Sequence, residues 1–191
     1  METIKALIFD YEKKYAAELS SIVIDKPKLS SMMIFIPFLF IFYIQDLLKY
    51  KKGLKGFAVN YLSSREKALK EAIDAVTDSK KINTLAIAEQ SGMSKQATIK
   101  YADYLKILAT HYQTLFKAKG DDYETLVRSA YNNNKQDYKF YTEQTVKAEQ
   151  ALNKALTKKL SKEQDGVSET ISKIEKGNRS LRKIEIETIF G

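Results

Sequence analysis

Apolar residues recur at three- and four-residue steps along almost the whole chain, the period of an α-helix that buries one face. Ile4, Leu7, Ile8, Tyr11, Tyr15, Leu19 and Ile22 form the first such stripe. It predicts an amphipathic helix ending near Asp25-Lys26-Pro27, because Pro27 biases Lys26 away from helical geometry. A second helical stretch begins at Ser30 or Ser31 and passes through an apolar block. It continues through Leu47, Leu48, Leu54, Phe57, Tyr61, Leu62, Leu69, Ile73 and Val76, with Gly53 and Gly56 as places where it softens.

Asp78-Ser79-Lys80-Lys81 reads as a loop, followed by a short helix over Thr84–Gln90 with Gly92 as its stop. Ser94 caps a longer helix to about Lys119, closed by Gly120, and Asp121 with Glu124 makes a capping box for Asp122–Tyr131. Asn132-Asn133-Asn134 is a break, since asparagine tolerates left-handed turns. A helix over Gln136–Leu160, a polar loop Ser161–Val167 and a last helix Ser168–Phe190 complete the reading. In the last helix Asn178 interrupts the stripe of Ile171, Ile174, Leu181 and Ile184, and it is expected to pack on the protein's own core. The fold class is therefore all-α, a bundle of about six helices with one strongly apolar, proline-kinked segment.

That segment departs from the amphipathic pattern. Met32, Met33, Ile34, Phe35, Ile36, Pro37, Phe38, Leu39, Phe40, Ile41, Phe42, Tyr43 and Ile44 are all apolar or aromatic, with no polar stripe to face water. The uncharged window Leu29–Gln45 rises ~25 Å as a straight helix, against ~30 Å of bilayer hydrocarbon. Pro37 kinks any helix through it. A short span, a re-entrant insertion and a buried core helix all remain open on these numbers. Three units follow: an N-terminal helix (1–28), the membrane-inserting or buried segment (29–45) and a basic helical body (46–191).

Charge sharpens the picture. Lysines and arginines total 32 against 24 acids, a net charge of +8. Lys49, Lys51, Lys52 and Lys55 follow the apolar block directly, where they suit lipid headgroups, with Tyr43 and Tyr50 at the same level. Positions 49–70 carry seven bases and one acid, whereas 1–28 carry five of each, a bias that places the body on the cytoplasmic side of an inner membrane. Membrane lipid is the expected partner and the cytoplasm the alternative location. The protein partner is open, and no small-molecule ligand is expected.

Little catalytic chemistry is on offer. The chain has no cysteine, which removes disulfides, thiol catalysis and cysteine-ligated zinc. His111 is its one histidine, without the companions a metal site needs. Glu185 and Glu187 lie on different helix faces, and the 12 tyrosines read as core residues with a polar tip. No phosphate-binding glycine loop or catalytic motif is present, so neither enzyme activity nor a cofactor is expected.

Leu85–Ser94 resembles the first helix and turn of a helix-turn-helix, with Ala88 at the crossing, Gly92 in the turn and Ser94 as cap. The following helix would offer Lys95, Gln96 and Lys100 to DNA. The fit loosens where Thr98 stands in the expected aliphatic position, with Ile99 one place late, and where Asp103 would oppose phosphate. DNA binding is therefore the alternative to a membrane-associated binding or scaffolding role.

Asp25-Lys26-Pro27, Ile36-Pro37 in the Phe-rich block, Tyr50-Lys51-Lys52-Gly53, His111-Tyr112, Ala130-Tyr131 and Leu181-Arg182…Ile189-Phe190 together resemble a bacterial family of membrane-associated helical proteins with no assigned activity. The resemblance implies a bacterial, membrane-associated protein and supplies no active site. The helix-turn-helix-like stretch is not part of that pattern.

Overall fold

A computed structural model describes residues 1–26, 39–160 and 167–191, with the backbone alone for 39–47, 157–160 and 167. Seven helices, and no strand, occur among them: α1 (Glu2–Val23), α2 (Leu39–Thr77), α3 (Thr84–Glu89), α4 (Lys95–Phe116), α5 (Tyr123–Ala130), α6 (Lys135–Leu160) and α7 (Val167–Phe190).

The five long helices close a ring. α1 packs on α2, α2 on α4, α4 on α6, α6 on α7, and α7 returns to α1. Residue pairings make three of these neighbours antiparallel. Gly53 lies by Ile24 and Arg65 by Glu12 across α2 and α1. Lys173 pairs with Asp25 across α7 and α1, and Lys135 with Glu187 across α6 and α7. The short helices are fillers: α3 rests on α4 and α2, and α5 on α7, α4 and α1.

The stripes drive this arrangement. Ile8, Tyr15, Leu19 and Val23 are the buried apolar line of α1, while Ile22, an expected stripe member, is 43 % exposed. α4 is buried along its whole length through Tyr101, Leu105, Leu108, Tyr112 and Leu115, because it has neighbours on several sides. Ala68, Ala72 and Ala75 give α2 a small-residue face against which its neighbours can approach closely. A second apolar cluster joins Tyr15, Leu19 and Val23 to Phe57, Tyr61, Ile174 and Leu181.

The local signals act largely where the sequence places them. Ile24 is extended, so α1 stops ahead of Lys26 and Pro27. Ser94 caps α4 by accepting from the Ala97 amide. Gly92, Asn132 and Asn133 all have positive φ, which gives the helix breaks their left-handed turns. α2 stays α-helical through Gly53 and Gly56. Its expected start at Ser30 or Ser31, Pro37 with its kink, and the loop 161–166 lie outside the described residues.

Two boundaries differ from expectation. The capping box of α5 is Asp122 with Thr125, one residue on from Asp121 and Glu124, because the Asp122 carboxylate reaches the Thr125 amide at 2.7 Å. α4 ends at Phe116, so Gly120 does not close it. Gly120 is instead a close-approach glycine: a Cβ there would run into the backbone of Leu126 and Thr125.

Gly120→Ala therefore forces backbone apart, and overpacking of this kind costs about 1–3 kcal/mol. Gly56→Ala meets nothing within 4 Å on the exposed side of α2, and should be neutral or stabilise by up to about 1 kcal/mol. Urea unfolding followed by circular dichroism measures both. Equal stability of Gly120→Ala and the parent would refute the close-approach role.

Candidate functional site: a buried charge network and a basic groove

Five carboxylate and guanidinium side chains lie inside the ring, each no more than 9 % exposed: Glu12, Arg65, Glu149, Arg182 and Glu185. Charges taken out of water cost several kcal/mol each unless partners replace the lost hydration. Here the partners come from all five long helices.

Arg65 of α2 is 1 % exposed. Its Nε donates to Glu12 Oε2 on α1 at 2.5 Å, Nη1 to the Tyr104 hydroxyl on α4 at 2.6 Å, and Nη2 to Tyr61 at 2.8 Å. Tyr112 of α4 donates to the other Glu12 oxygen at 2.6 Å. Asn178 of α7 extends the network: its Oδ1 accepts from Tyr61 at 3.0 Å and Tyr15 at 2.9 Å, and its Nδ2 donates to Glu149 of α6 at 2.8 Å. Tyr15 also carries the Arg182 guanidinium over its ring, 4.2 Å from the centroid. Arg182 Nη1 then donates to Glu185 at 2.7 Å, and Glu185 accepts from Tyr138 of α6 at 2.5 Å.

The electrostatics follow from this geometry. Burial pulls the Arg65 guanidinium toward its neutral form, but Tyr104, Tyr61 and Glu12 outweigh it and raise its pKa. Burial also raises the tyrosine hydroxyls of Tyr61, Tyr104, Tyr112 and Tyr138, keeping them protonated and able to donate. Glu149 is raised above the ordinary carboxylate value by burial, against the opposing pull of Arg65 and Arg182. The network holds five helices in register under dense cover, which makes it a clasp.

His111 sits beside this clasp, 2 % exposed. It stacks on Tyr141 with centroids 3.9 Å apart, and Nδ1 shares a hydrogen bond with the Tyr131 hydroxyl at 2.7 Å. Nε2 has no partner among the described residues. Burial, reinforced by Arg182, lowers the pKa well below 6.5, so the ring is neutral at pH 7. Among the described residues no three histidine or carboxylate side chains gather as a metal site. Glu187 is 60 % exposed and pairs with Lys135, far in role from buried Glu185, as their separate faces require.

The outer surface between α6 and α7 carries a groove of about 520 Å³. Thr142, Val146 and Ile186 line it together with Lys135, Lys139, Lys147, Arg179 and Lys183. Arg182 borders it too, joining the groove to the clasp.

The sequence-predicted site residues fall in three places. Met32, Met33, Ile34, Phe35, Ile36, Pro37 and Phe38 lie outside the described residues, whereas Leu39, Phe40, Ile41, Phe42, Tyr43 and Ile44 form the first turns of α2. No helix among the described residues is long and apolar enough to cross a membrane. Lys49, Lys51, Lys52 and Lys55 are exposed along the same helix. Lys95, Gln96 and Lys100 open α4, but Lys100 pairs with Asp103 at 3.3 Å, and Ile99 is 48 % exposed. Thr98 turns its hydroxyl back to the Ser94 carbonyl at 3.1 Å. Glu12, Arg65, Glu149 and Arg182 carry the clasp without being among the sequence-predicted site residues. The available signal was a charge set within an apolar stripe, as Glu12 is between Ile8 and Tyr15.

Arg65→Met strands the Glu12 carboxylate and should cost about 3–5 kcal/mol, with Arg65→Met/Glu12→Leu recovering much of it, as read by urea midpoints. A double variant no better than the single one would remove the pair from its central role. His111 gives a pH signature. Its folded pKa is depressed, so the stability it contributes is present above about 6.5 and lost as pH falls through and below that value. The slope approaches ~1.4 kcal/mol per pH unit for one proton. Glu149, with a raised folded pKa, acts in the opposite sense above the ordinary carboxylate value. Comparing His111→Phe with the parent at pH 7.5, 6.5 and 5.5 isolates the histidine, and the variant should lose its share of the acid sensitivity.

Comparison with protein-family models, with curated proteins and with solved structures returns no match, so the functional reading rests on the residues themselves.

Proposed function

We propose that this protein is a membrane-attached helical binding or scaffolding module. The apolar segment 29–45 would insert into the cytoplasmic face of a bacterial inner membrane and hold the basic body in the cytoplasm.

The observation that carries this reading is the course of α2. From Leu39 to Arg65 the helix runs ~39 Å, and none of the residues 48–64 is fully buried. One continuous helix thus ties apolar Leu39–Ile44 to the clasp, with Lys49, Lys51, Lys52 and Lys55 exposed between them. Leu48 and Val59, 61 % and 58 % exposed, flank these lysines, a mixture suited to the headgroup region.

The ring also bears on topology. α1 is antiparallel to α2 and shares its core, and Ile24 lies 3.6 Å from where a Cβ on Gly53 would be. Both flanks of the apolar segment therefore leave the same end of one body. A single crossing would put α1 on the opposite side of the membrane from its partners, so a re-entrant insertion fits the bundle better than a span.

DNA binding is the second reading, favoured by the positive φ of Gly92 and the Ser94 cap between α3 and α4. The Lys100–Asp103 pair weakens it.

Full-length protein expressed in bacteria should stay with membranes after an alkaline carbonate wash and float with them. Deletion of 29–45 should release a soluble protein with its helical content kept. Because the chain has no cysteine, Asp10→Cys and Ser180→Cys provide clean topology probes. Both should react with an impermeant maleimide from the cytoplasmic side only. Labelling from opposite sides would eliminate the re-entrant form, and a soluble full-length monomer would eliminate attachment. Neutralising Lys49, Lys51, Lys52 and Lys55 to Gln should weaken binding to anionic vesicles by about 1 kcal/mol per lysine at the surface. Unchanged duplex affinity in Lys95→Glu/Lys100→Glu would dispose of the DNA reading.

A further inference from the structure

The α6–α7 groove has a polarity along its length that the clasp beneath does not require. At the Lys135 end its cations are already matched: Lys135 pairs with Glu187 at 2.9 Å and Lys139 with Glu143 at 4.0 Å. Lys183, one turn of α7 before Glu187, and Lys147 and Arg179, further along toward Gln150, are exposed and have no ion-pair partner among the described residues. Glu175, on α7 beyond Arg179, accepts a hydrogen bond from Gln150. Beneath these cations lies Arg182, 5 % exposed, whose Nη2 finds no acceptor although its Nη1 is bound to Glu185. Between the two ends the floor is apolar, made by Val146, Ile186 and the Thr142 side chain.

A strip of this kind recognises a molecule with charge at one end and hydrocarbon behind it. The groove follows α6 from Lys135 to Gln150, ~22 Å, and its volume of about 520 Å³ lies within the range of ligand sites. An inorganic anion would leave the apolar floor wet. A neutral chain would leave the three exposed cations without a counter-charge. We propose that the α6–α7 groove binds a single-chain anionic amphiphile, a fatty acid or alkyl phosphate. Its head sits among Lys147, Arg179 and Lys183, and its chain lies over Val146 and Ile186. The site goes beyond membrane attachment and does not depend on it, since the groove belongs to the body and not to the apolar segment.

The test uses full-length protein in a neutral maltoside detergent, with a photoactivatable fatty acid as the probe and peptide mass spectrometry as the readout. Crosslinks should map to 139–150 and 179–187, and unlabelled dodecyl phosphate should compete for them. The matching fatty alcohol and inorganic phosphate should compete at least tenfold less well. Lys147→Gln/Arg179→Gln/Lys183→Gln changes only exposed side chains and should weaken labelling of the groove at least tenfold, with the circular-dichroism melting curve as a check on folding. Equal labelling by the alcohol probe, unchanged labelling of the triple variant, or crosslinks confined to 29–45 would overturn the proposal. The last of these leaves membrane insertion standing, whereas groove labelling of a protein that fails to float would leave the groove site standing alone.

Discussion

A guanidinium placed in the centre of a helical bundle must be surrounded, and the fold is organised around that requirement. Arg65 cannot shed its charge, so its donors need acceptors held in place before the ring can close. Glu12, Tyr61 and Tyr104 supply them from α1, α2 and α4. Sliding any one of these helices by a turn would strand a buried ion. Apolar contacts tolerate such a slip far better, since one leucine row resembles the next. Register in this bundle therefore rests on hydrogen bonds of fixed direction, while its stability comes from the apolar rows around them.

Asn178 carries the constraint to the far side of the ring. A single amide accepts from two tyrosines and donates to Glu149, joining α7 to α1, α2 and α6. Arg182 and Glu185 then repeat the motif one turn on, with Tyr138 closing it. The same α7 turns its other side outward, where Arg179 and Lys183 border the groove. An inner and an outer set of charges thus alternate on one helix, the inner set committed to neighbours and the outer set available.

Much of the fold was legible because it depends on local signals. The stripe through Ile8, Tyr15 and Leu19, the stop before Pro27, the Ser94 cap and the left-handed asparagines each act within a few residues of themselves. Asn178 was readable as a polar break in an apolar stripe packed on the protein's own core, though its partners were not. The Arg65–Glu12 pair spans 53 positions, and no periodicity links two residues so far apart. Cap positions slipped by one residue because Asp121 and Asp122 offer equivalent side chains, and only the path of the backbone decides between them. The groove was invisible for a different reason. Lys139, Lys147, Arg179 and Lys183 look like any solvated helix face until α6 and α7 are laid side by side.

The Tyr15–Asn178 bond has a consequence for how the molecule is made. Its two partners are 163 positions apart, so at ~5–20 residues per second the ribosome delivers Asn178 about 8–33 s after Tyr15. For most of that interval α1 and α2 have neither α7 nor a complete α6 to finish their surroundings, because α6 ends at Leu160, only 18 positions before Asn178. The apolar segment between α1 and α2 emerges early in the same interval. Closure of the ring is thus the last event in the making of the chain, long after the segment 29–45 has emerged.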